Sequence, residues 1–214
     1  MHVKTSAVKT SMAEARAEQA HTHEAGGIKR CGWCGDDPLY VRYHDEEWGR
    51  EAKDDRALFE FLLLEGAQAG LSWYAVLKRR EGYRRLFEGF DPERVARLGA
   101  GDVVRILEDP GIIRNRQKVE AAVSNARCFL QVQQEFGAFG AYLRSFLPGG
   151  GPVVNHWEAL GEVPASAPFA EAMSRDMKKR GFKFCGPTIC YAYLQATGFV
   201  DDHLVGCAFR PHRP

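Results

Sequence analysis

The stretch Lys178-Lys-Arg-Gly-Phe-Lys-Phe-Cys-Gly-Pro-Thr188 decides the fold. A helix is predicted to end near Arg180, because Gly181 can take the left-handed conformation that closes a helix. Gly186 precedes a second helix that Pro187 can begin, since proline suits the first turn. Phe182 and Phe184 make the link apolar enough to dock on a core. The segment therefore reads as helix, tight glycine-bounded turn, helix. At the start of the second helix, backbone N–H groups and the helix dipole favour a phosphate oxygen. Arg175, Lys178, Lys179, Arg180 and Lys183 surround the turn, against one acid, Asp176. That chemistry suits contact with a nucleic-acid backbone without reading of bases. An ordinary αα corner with a solvated basic face would show the same local pattern. Gly-x-x-x-x-Gly lacks the following Lys-Ser/Thr of a nucleotide P-loop.

Outward from this stretch the chain is helical. Asp54 or Asp55 can cap a helix carrying Leu58, Phe59, Leu62 and Leu63 on one face. Ser72 can cap another that runs through Val76, Leu77 and Tyr83 to Phe87. Asp91-Pro92-Glu93 combines a capping side chain, a first-turn proline and an acid matched to the dipole. Further helices are predicted over 102–107, 115–134, 136–147, 166–180 and 187–197. No convincing period-two strand is found, so the fold is read as all-α, with seven or eight helices. Trp33, Tyr40, Tyr43 and Trp48 crowd into a stretch with little periodicity, read as loops and short turns. Residues 1–28 lack apolar periodicity and are read as a disordered or weakly helical extension. Within them His21 and His23 read as part of a solvated tail. The folded domain is placed at 29–214.

The 214 residues are 45% hydrophobic, enough for a core, which excludes a wholly disordered chain. The longest apolar run, Ile189 to Leu194, is far too short to span a membrane. The formal net charge of +1 gives no global hint of nucleic acid, so a basic function must come from local clusters. Residues 1–28 also lack the apolar stretch of a signal peptide. A reducing, cytoplasmic setting follows as the expectation, with metal binding favoured over disulfides.

Cysteines stand at 31, 34, 128, 185, 190 and 207. His203-Leu-Val-Gly-Cys207 offers two metal ligands on one side of a turn. Structural zinc takes four nitrogen or sulfur ligands. Cys31 and Cys34, or Cys31 and His44, could complete the set, and the spacing alone does not choose between them. Buried free thiols with a lone histidine are the bland alternative. Cys128, Cys185 and Cys190 lie in apolar surroundings and read as core. His44-Asp-Glu46 matches half of a deaminase zinc signature, but no Pro-Cys-x-x-Cys follows it.

Trp33, Tyr40, Tyr43, Trp48 and Trp73 gather within 41 positions, and Glu65 sits in their midst. One acid in an aromatic cage suits a planar cationic ligand, held by stacking and charge. A core with polar tips at the surface is the alternative. Gly70-Leu71-Ser72-Trp73 reads as a loop-to-helix junction with an exposed leucine. Such a leucine could fill the gap that a displaced base leaves in DNA. It could equally be a hydrophobic staple on the helix that Ser72 caps.

These pieces together resemble one family. Arg30-Cys-Gly-Trp33, Asp37-Pro-Leu-Tyr40 and Tyr43-His-Asp-Glu-Glu-Trp-Gly49 carry the likeness. So do Leu64-Glu-Gly66, Gln68-Ala-Gly-Leu-Ser-Trp73, Gly111-Ile-Ile-Arg114, Lys178 to Phe184 and Asp202 to Cys207. In order and spacing they resemble the bacterial 3-methyladenine DNA glycosylase I family over about residues 30–210. Ala67, where a glutamine is expected, and Cys34 depart from its pattern.

The resemblance implies a helix-hairpin-helix glycosylase fold. It implies structural Zn2+ on Cys31, His44, His203 and Cys207, joining the N- and C-terminal segments. Glu65 would be the catalytic carboxylate. Glu65 and Tyr43 would hydrogen-bond the flipped base, with Trp73 stacked on it and Trp33, Tyr40 and Trp48 lining the pocket. Gly70 and Leu71 would enter the duplex. Lys179, Gly181, Lys183, Gly186 and Thr188 would contact the DNA backbone. Asp201 and Asp202 lie roughly where such glycosylases keep an Asp that stabilises the sugar cation, and they read equally as partners of His203; neither is assigned as catalytic. The implied activity is monofunctional excision of 3-methyladenine from alkylated double-stranded DNA. The expected protein is a monomer with no obligate protein partner and no membrane association. A zinc-stapled DNA-binding module without catalysis is the alternative.

Overall fold

Helix α2 (Asp55–Gln68) is apolar on every face and runs through the centre of the protein, with Leu58, Phe59, Phe61, Leu62, Leu63, Leu64 and Ala67 all buried. A helix that is hydrophobic all round must be enclosed by others. The computed structural model describes residues 22–25, 27–52 and 54–211. Before α2 lies α1 (Pro38–Glu46). After it come α3 (Trp73–Leu77), α4 (Arg80–Leu86), α5 (Pro92–Ala96), α6 (Ala100–Glu108), α7 (Arg116–Phe136), α8 (Phe139–Arg144), α9 (Pro168–Lys179) and α10 (Pro187–Ala196). Helices α3, α7, α8 and α10 pack on α2, α5 and α6 pack on α7, and α9 packs on α10.

Local chemistry sets most boundaries. Asp54, not Asp55, caps α2 by accepting from Ala57 N–H at 2.8 Å. Asp55 instead ties α2 to α7 and α8, accepting from Gln133 Nε2 at 2.7 Å and Phe139 N–H at 2.8 Å. Ser72 and Asp91 cap α3 and α5 as expected, and Asn115 caps α7 instead of being its first residue. The helix predicted from Ser72 to Phe87 is broken at Lys78–Arg79 into α3 and α4. The one predicted from 136 to 147 begins only after Gly137, whose φ of 80° closes α7.

Three expectations are corrected. The aromatic stretch around Tyr40 is a helix, not loops: Asp37 caps α1 through Leu39 and Tyr40 N–H, and Pro38 starts it. The fold is mostly helical, yet it contains two small strand pairs. Val153–Val154 (β3) lies parallel to Val200–Asp201 (β4), too short to show any alternation. His23–Ala25 (β1) pairs antiparallel with Ile28–Arg30 (β2), so part of the stretch read as disordered extension is ordered. Gly27, at φ +76°, allows the tight turn between them. Most of that extension, His21 included, lies outside the described residues.

Candidate functional site

Pro38 and Asp37 fix the start of α1, and α1 then presents Tyr40 and Tyr43 to one cavity. That cavity, of about 220 Å³, is lined by Trp33, Tyr40, Tyr43, Trp48, Glu65 and Trp73. The sequence-predicted cage and its carboxylate therefore come together. The rings meet mostly edge to face or tilted: Trp33 lies 5.1 Å from Tyr40 and 5.0 Å from Trp48, and Tyr43 lies 5.3 Å from Trp73. Asp37 also accepts from Tyr74 O–H at 2.5 Å, which ties α1 to α3.

Gln68, Leu160, Val163, Ala192, Gln195 and Asp202 complete the lining. Sequence reasoning did not assign them to the pocket. Gln68 was findable, since it follows Glu65 by three positions and shares its face of the helix. Leu160 and Val163 carry no local signal. Asp202 is a wall of the cavity, not a partner of His203. Its Oδ1 accepts from Asn155 and Trp157 at 2.7 Å each, and its Oδ2 from Tyr191 at 2.7 Å and Gln195 at 2.6 Å. Asp201 does serve His203, accepting from its backbone N–H at 3.1 Å.

Glu65 is 3% exposed and sits near the end of α2. Desolvation pushes its carboxyl up to about 8. Burial, and secondly the neighbouring Glu65, raises the Tyr43 hydroxyl well above its ordinary range. Glu65 Oε2, Gln68 Oε1 and Trp73 Nε1 are all buried without a hydrogen-bond partner. Such orphaned groups are costly and uncommon. Here three of them belong to the lining of one cavity, an arrangement that fits a planar ligand offering both donors and an acceptor.

Behind the aromatic wall, Cys31, His44, His203 and Cys207 are buried with their donor atoms all within 4.8 Å of one another. Cys207 Sγ is 3.5 Å from His44 Nε2 and 3.4 Å from His203 Nδ1, and Cys31 Sγ is 3.7 Å from His203 Nδ1. The sulfur-to-nitrogen edge of a tetrahedral zinc site is about 3.6 Å from ordinary bond lengths. Cys34 is not in this cluster; its thiol turns to the carbonyl of Cys31 at 3.2 Å. Each histidine is oriented from outside. His44 Nδ1 meets Asp45 at 2.8 Å and His203 Nε2 meets the Trp48 carbonyl at 3.1 Å. Backbone N–H groups of Leu204 and Phe209 point at the two sulfurs, at 3.4 and 3.5 Å. Such outer contacts are typical of metal-binding ligands. A hydrogen bond from Cys31, then those from His203 and His44, hold the Cys207 thiol far below its ordinary range. Trp33 packs on His44 at 5.2 Å and Trp48 on His203 at 4.5 Å, so the cluster and the cavity share a wall.

The hairpin between α9 and α10 reaches the same helix end. Gly181 has φ +96°, and Phe182 is buried. Asn125 of α7 clamps the loop: its Nδ2 donates to the Lys183 carbonyl at 3.0 Å, and its Oδ1 accepts from Lys183 N–H at 2.8 Å. Phe184 faces Gly66, where an added Cβ would meet its Cβ at 3.8 Å. Lys179, Gly181, Lys183 and Thr188 are exposed and Gly186 is half-buried. The first internal bond of α10 is Cys190 N–H to Gly186 at 2.9 Å, which leaves the amides of Thr188 and Ile189 outside the helix's own ladder. Not all five basic residues are available, however. Arg180 is held by Glu135 and Asp176, at 2.6 Å each, and Arg175 is near Glu171. Leu71 is 45% exposed beside the cavity-lining Gln68 and Trp73, and Gly70 adopts φ +78° in the same turn.

Comparison with known proteins is consistent with this geometry. The family model described as methyladenine glycosylase matches residues 33–211. DNA-3-methyladenine glycosylase 1 of Escherichia coli (strain K12) is 49% identical over 184 residues, covering 86% of this chain and 98% of that relative. DNA-3-methyladenine glycosylase of Haemophilus influenzae is 44% identical over 178 residues, covering 83% and 96%. A solved structure of 3-methyladenine DNA glycosylase I from Staphylococcus aureus, described as the structural basis of 3-methyladenine recognition, is 37% identical. It superposes with a TM-score of 0.83, covering 86% of this chain and 98% of that one.

Proposed function

The chain belongs to the methyladenine glycosylase family, and from that premise we propose that it excises 3-methyladenine from alkylated double-stranded DNA by hydrolysis of the N-glycosidic bond. The observation that carries this reading is the convergence of Glu65 Oε2, Gln68 Oε1 and Trp73 Nε1 on one aromatic-walled cavity. A flipped adenine offers amino N–H donors, ring-nitrogen acceptors and two flat faces. A module that only gripped the DNA backbone would need none of this lining.

An adenine methylated at N3 and attached to deoxyribose is cationic. It leaves as a neutral base, so the reaction needs no general acid. The protein must hold the nucleotide out of the stack, which costs a few kcal/mol. It must also prefer the cation over ordinary adenine. Burial alone supplies that preference. The Glu65 carboxyl, raised to about 8 by burial, ionises readily only when a positive charge comes beside it. A neutral adenine offers no such compensation. Glu65 with Tyr43 then holds the base, Trp73 closes on it as part of the aromatic wall, and Trp33, Tyr40 and Trp48 shape the remaining walls. Leu71, with Gly70, fills the vacated position in the duplex. The Gly181–Gly186 turn, with Lys179, Lys183 and Thr188, holds the backbone. Residues 29–214 form the catalytic domain in this reading, with 1–28 as an extension.

Cys31, His44, His203 and Cys207 fit a structural zinc ion by donor type and by spacing. Bound there, the metal would cross-link the two ends of the chain and hold Trp33 and Trp48 in place. Among the described residues no helix is long and apolar enough to cross a membrane.

The test is incubation with methylated duplex DNA and measurement of released free base. Release of 3-methyladenine by the wild-type protein, with none from unmethylated DNA, is the expected result. No release from folded protein would sink the proposal.

A further inference from the structure

Some of the basic side chains are paired with carboxylates and others are not. Arg80, Arg84, Arg85, Arg144 and Arg180 each have a carboxylate partner. Lys78, Arg79 and Arg114 have no carboxylate within ion-pair distance among the described residues, although Lys78 is near enough to Asp37 to favour its ionised form. Lys78 lies over the Tyr74 ring at 4.4 Å, Arg79 donates to the Ala75 carbonyl at 2.9 Å, and Arg114 is exposed. Neither contact of Lys78 and Arg79 neutralises its charge. Lys78 and Arg79 line an open groove with Gly82, Arg85, Pro110 and Gly111. The two acids at this groove are already engaged: Asp109 by Arg85 at 2.9 Å, and Glu81 by Arg84 at 3.3 Å.

The groove is built to hold its shape. A Cβ at Gly82 would lie 2.1 Å from the Gly111 carbonyl oxygen, so α4 and the 110–114 turn meet backbone to backbone. The Ile113 N–H donates to Tyr83 O–H at 3.2 Å and fixes the same turn.

The groove also has a fixed relation to Leu71. Helix α3, which Ser72 caps, separates Leu71 from Lys78, so the exposed leucine and the groove lie at opposite ends of one short helix. Arg114 is tied to the same place from the other direction. It precedes Asn115, the cap of α7, and Lys118 in the first turn of α7 donates to the Ala67 and Ala69 carbonyls at 2.8 and 2.6 Å. The hairpin reaches this helix end through different contacts, those of Phe184 and Asn125. A side chain that replaces a flipped base stands within the duplex, with a phosphate backbone on each side. One basic surface, the hairpin, accounts for one backbone only.

We propose that Lys78, Arg79 and Arg114 hold the phosphates of the undamaged strand, while the hairpin holds the damaged one. This rests on the glycosylase reading and extends it: the protein is a duplex reader with two separate backbone contacts. Ordinary duplex binding then depends on both surfaces.

The experiment compares wild-type protein with the triple variant K78Q/R79Q/R114Q and with the singles K78Q and R114Q. Affinity is measured across a salt series for an undamaged duplex and for a single strand of the same sequence. Quenching of the cavity tryptophans by free 3-methyladenine reports pocket integrity. The triple variant is expected to lose at least tenfold in duplex affinity and less than threefold on the single strand. Its salt slope on duplex should fall by roughly 2 to 3, about 0.9 for each phosphate no longer neutralised. Binding of free 3-methyladenine should be unchanged, and each single variant should show part of the duplex loss. Unchanged duplex affinity and slope, or equal losses on both DNAs, would overturn the second-strand assignment. Failure of the wild-type protein to bind 3-methyladenine or release it from methylated DNA would instead defeat the glycosylase reading.

Discussion

Glu65 lies on helix α2, whose residues 58–65 are all buried, and that placement decides its chemistry. The sequence left open whether this acid faces water at a helix edge or turns into a pocket. The answer depends on what encloses the last turns of α2, which no local pattern reveals. With no cation beside it, desolvation dominates and the carboxyl titrates near 8. A carboxyl raised above its unfolded value of about 4.3 contributes most stability below that unfolded value. The contribution declines as pH rises through about 8 and is then gone. E65Q should therefore gain melting temperature relative to wild type between pH 5 and 8, with no further gain above. The full difference should be on the order of a few kcal/mol at most. Thermal unfolding followed by circular dichroism across pH checks this; a pH-independent difference would show that Glu65 is ionised in the empty protein. The same substitution should lower excision by about 10²–10³, the size seen when one oriented electrostatic group is removed. Leu71 belongs to this scale too. L71A should reduce excision from duplex DNA while leaving affinity for free 3-methyladenine intact.

At the level of elements, the hairpin was the most legible part of the chain. Gly181 and Gly186 bound it as the spacing predicts, and Pro187 begins α10. What was not legible is its clamp. Asn125 lies 58 positions away from Lys183, and a buried asparagine inside a helix gives no sign of its partner. N125A should weaken duplex binding, because the Lys183 backbone loses both hydrogen bonds to the one side chain that holds it. G181A should cost about 1–2 kcal/mol, since a Cβ is disfavoured at φ +96°. Chemical denaturation measures it, and no loss would mean that the turn relaxes out of the left-handed region. Helix α1 carries the same start signal as α5, Asp37-Pro38 against Asp91-Pro92, but its aromatic residues do not fall into the apolar periodicity that marks a helix in sequence. The strand pairs were missed for a different reason. Val153–Val154 and Val200–Asp201 are two residues each, and their partner is 47 positions away.

Over the whole molecule, two features join distant parts of the chain. The first is the Cys31, His44, His203 and Cys207 cluster, whose members come from both ends of the sequence. Spacing alone could not choose His44 over Cys34, because the choice depends on α1 turning His44 inward while the Cys34 thiol faces a carbonyl. With zinc bound as proposed, metal analysis should give one zinc per chain, lost in H44A and kept in C34A. Chelation should lower the melting temperature and alter emission from Trp33 and Trp48, which pack on the two histidines. Zinc retained in H44A and lost in C34A would restore the Cys-x-x-Cys alternative. The second feature is charge. A net +1 conceals local groups of cations, among them Lys179 and Lys183 at the hairpin and Lys78 and Arg79 at the groove. Weak, strongly salt-dependent binding to undamaged duplex follows.

The most direct test of the central claim is release of free base from duplex DNA methylated to carry 3-methyladenine, by wild type and E65Q side by side. The account predicts that wild type releases 3-methyladenine, and that folded E65Q releases it at least about 100-fold more slowly, as for other oriented electrostatic groups. Equal release by both proteins would contradict the assignment of the buried carboxylate, and release by neither would contradict the proposed activity itself.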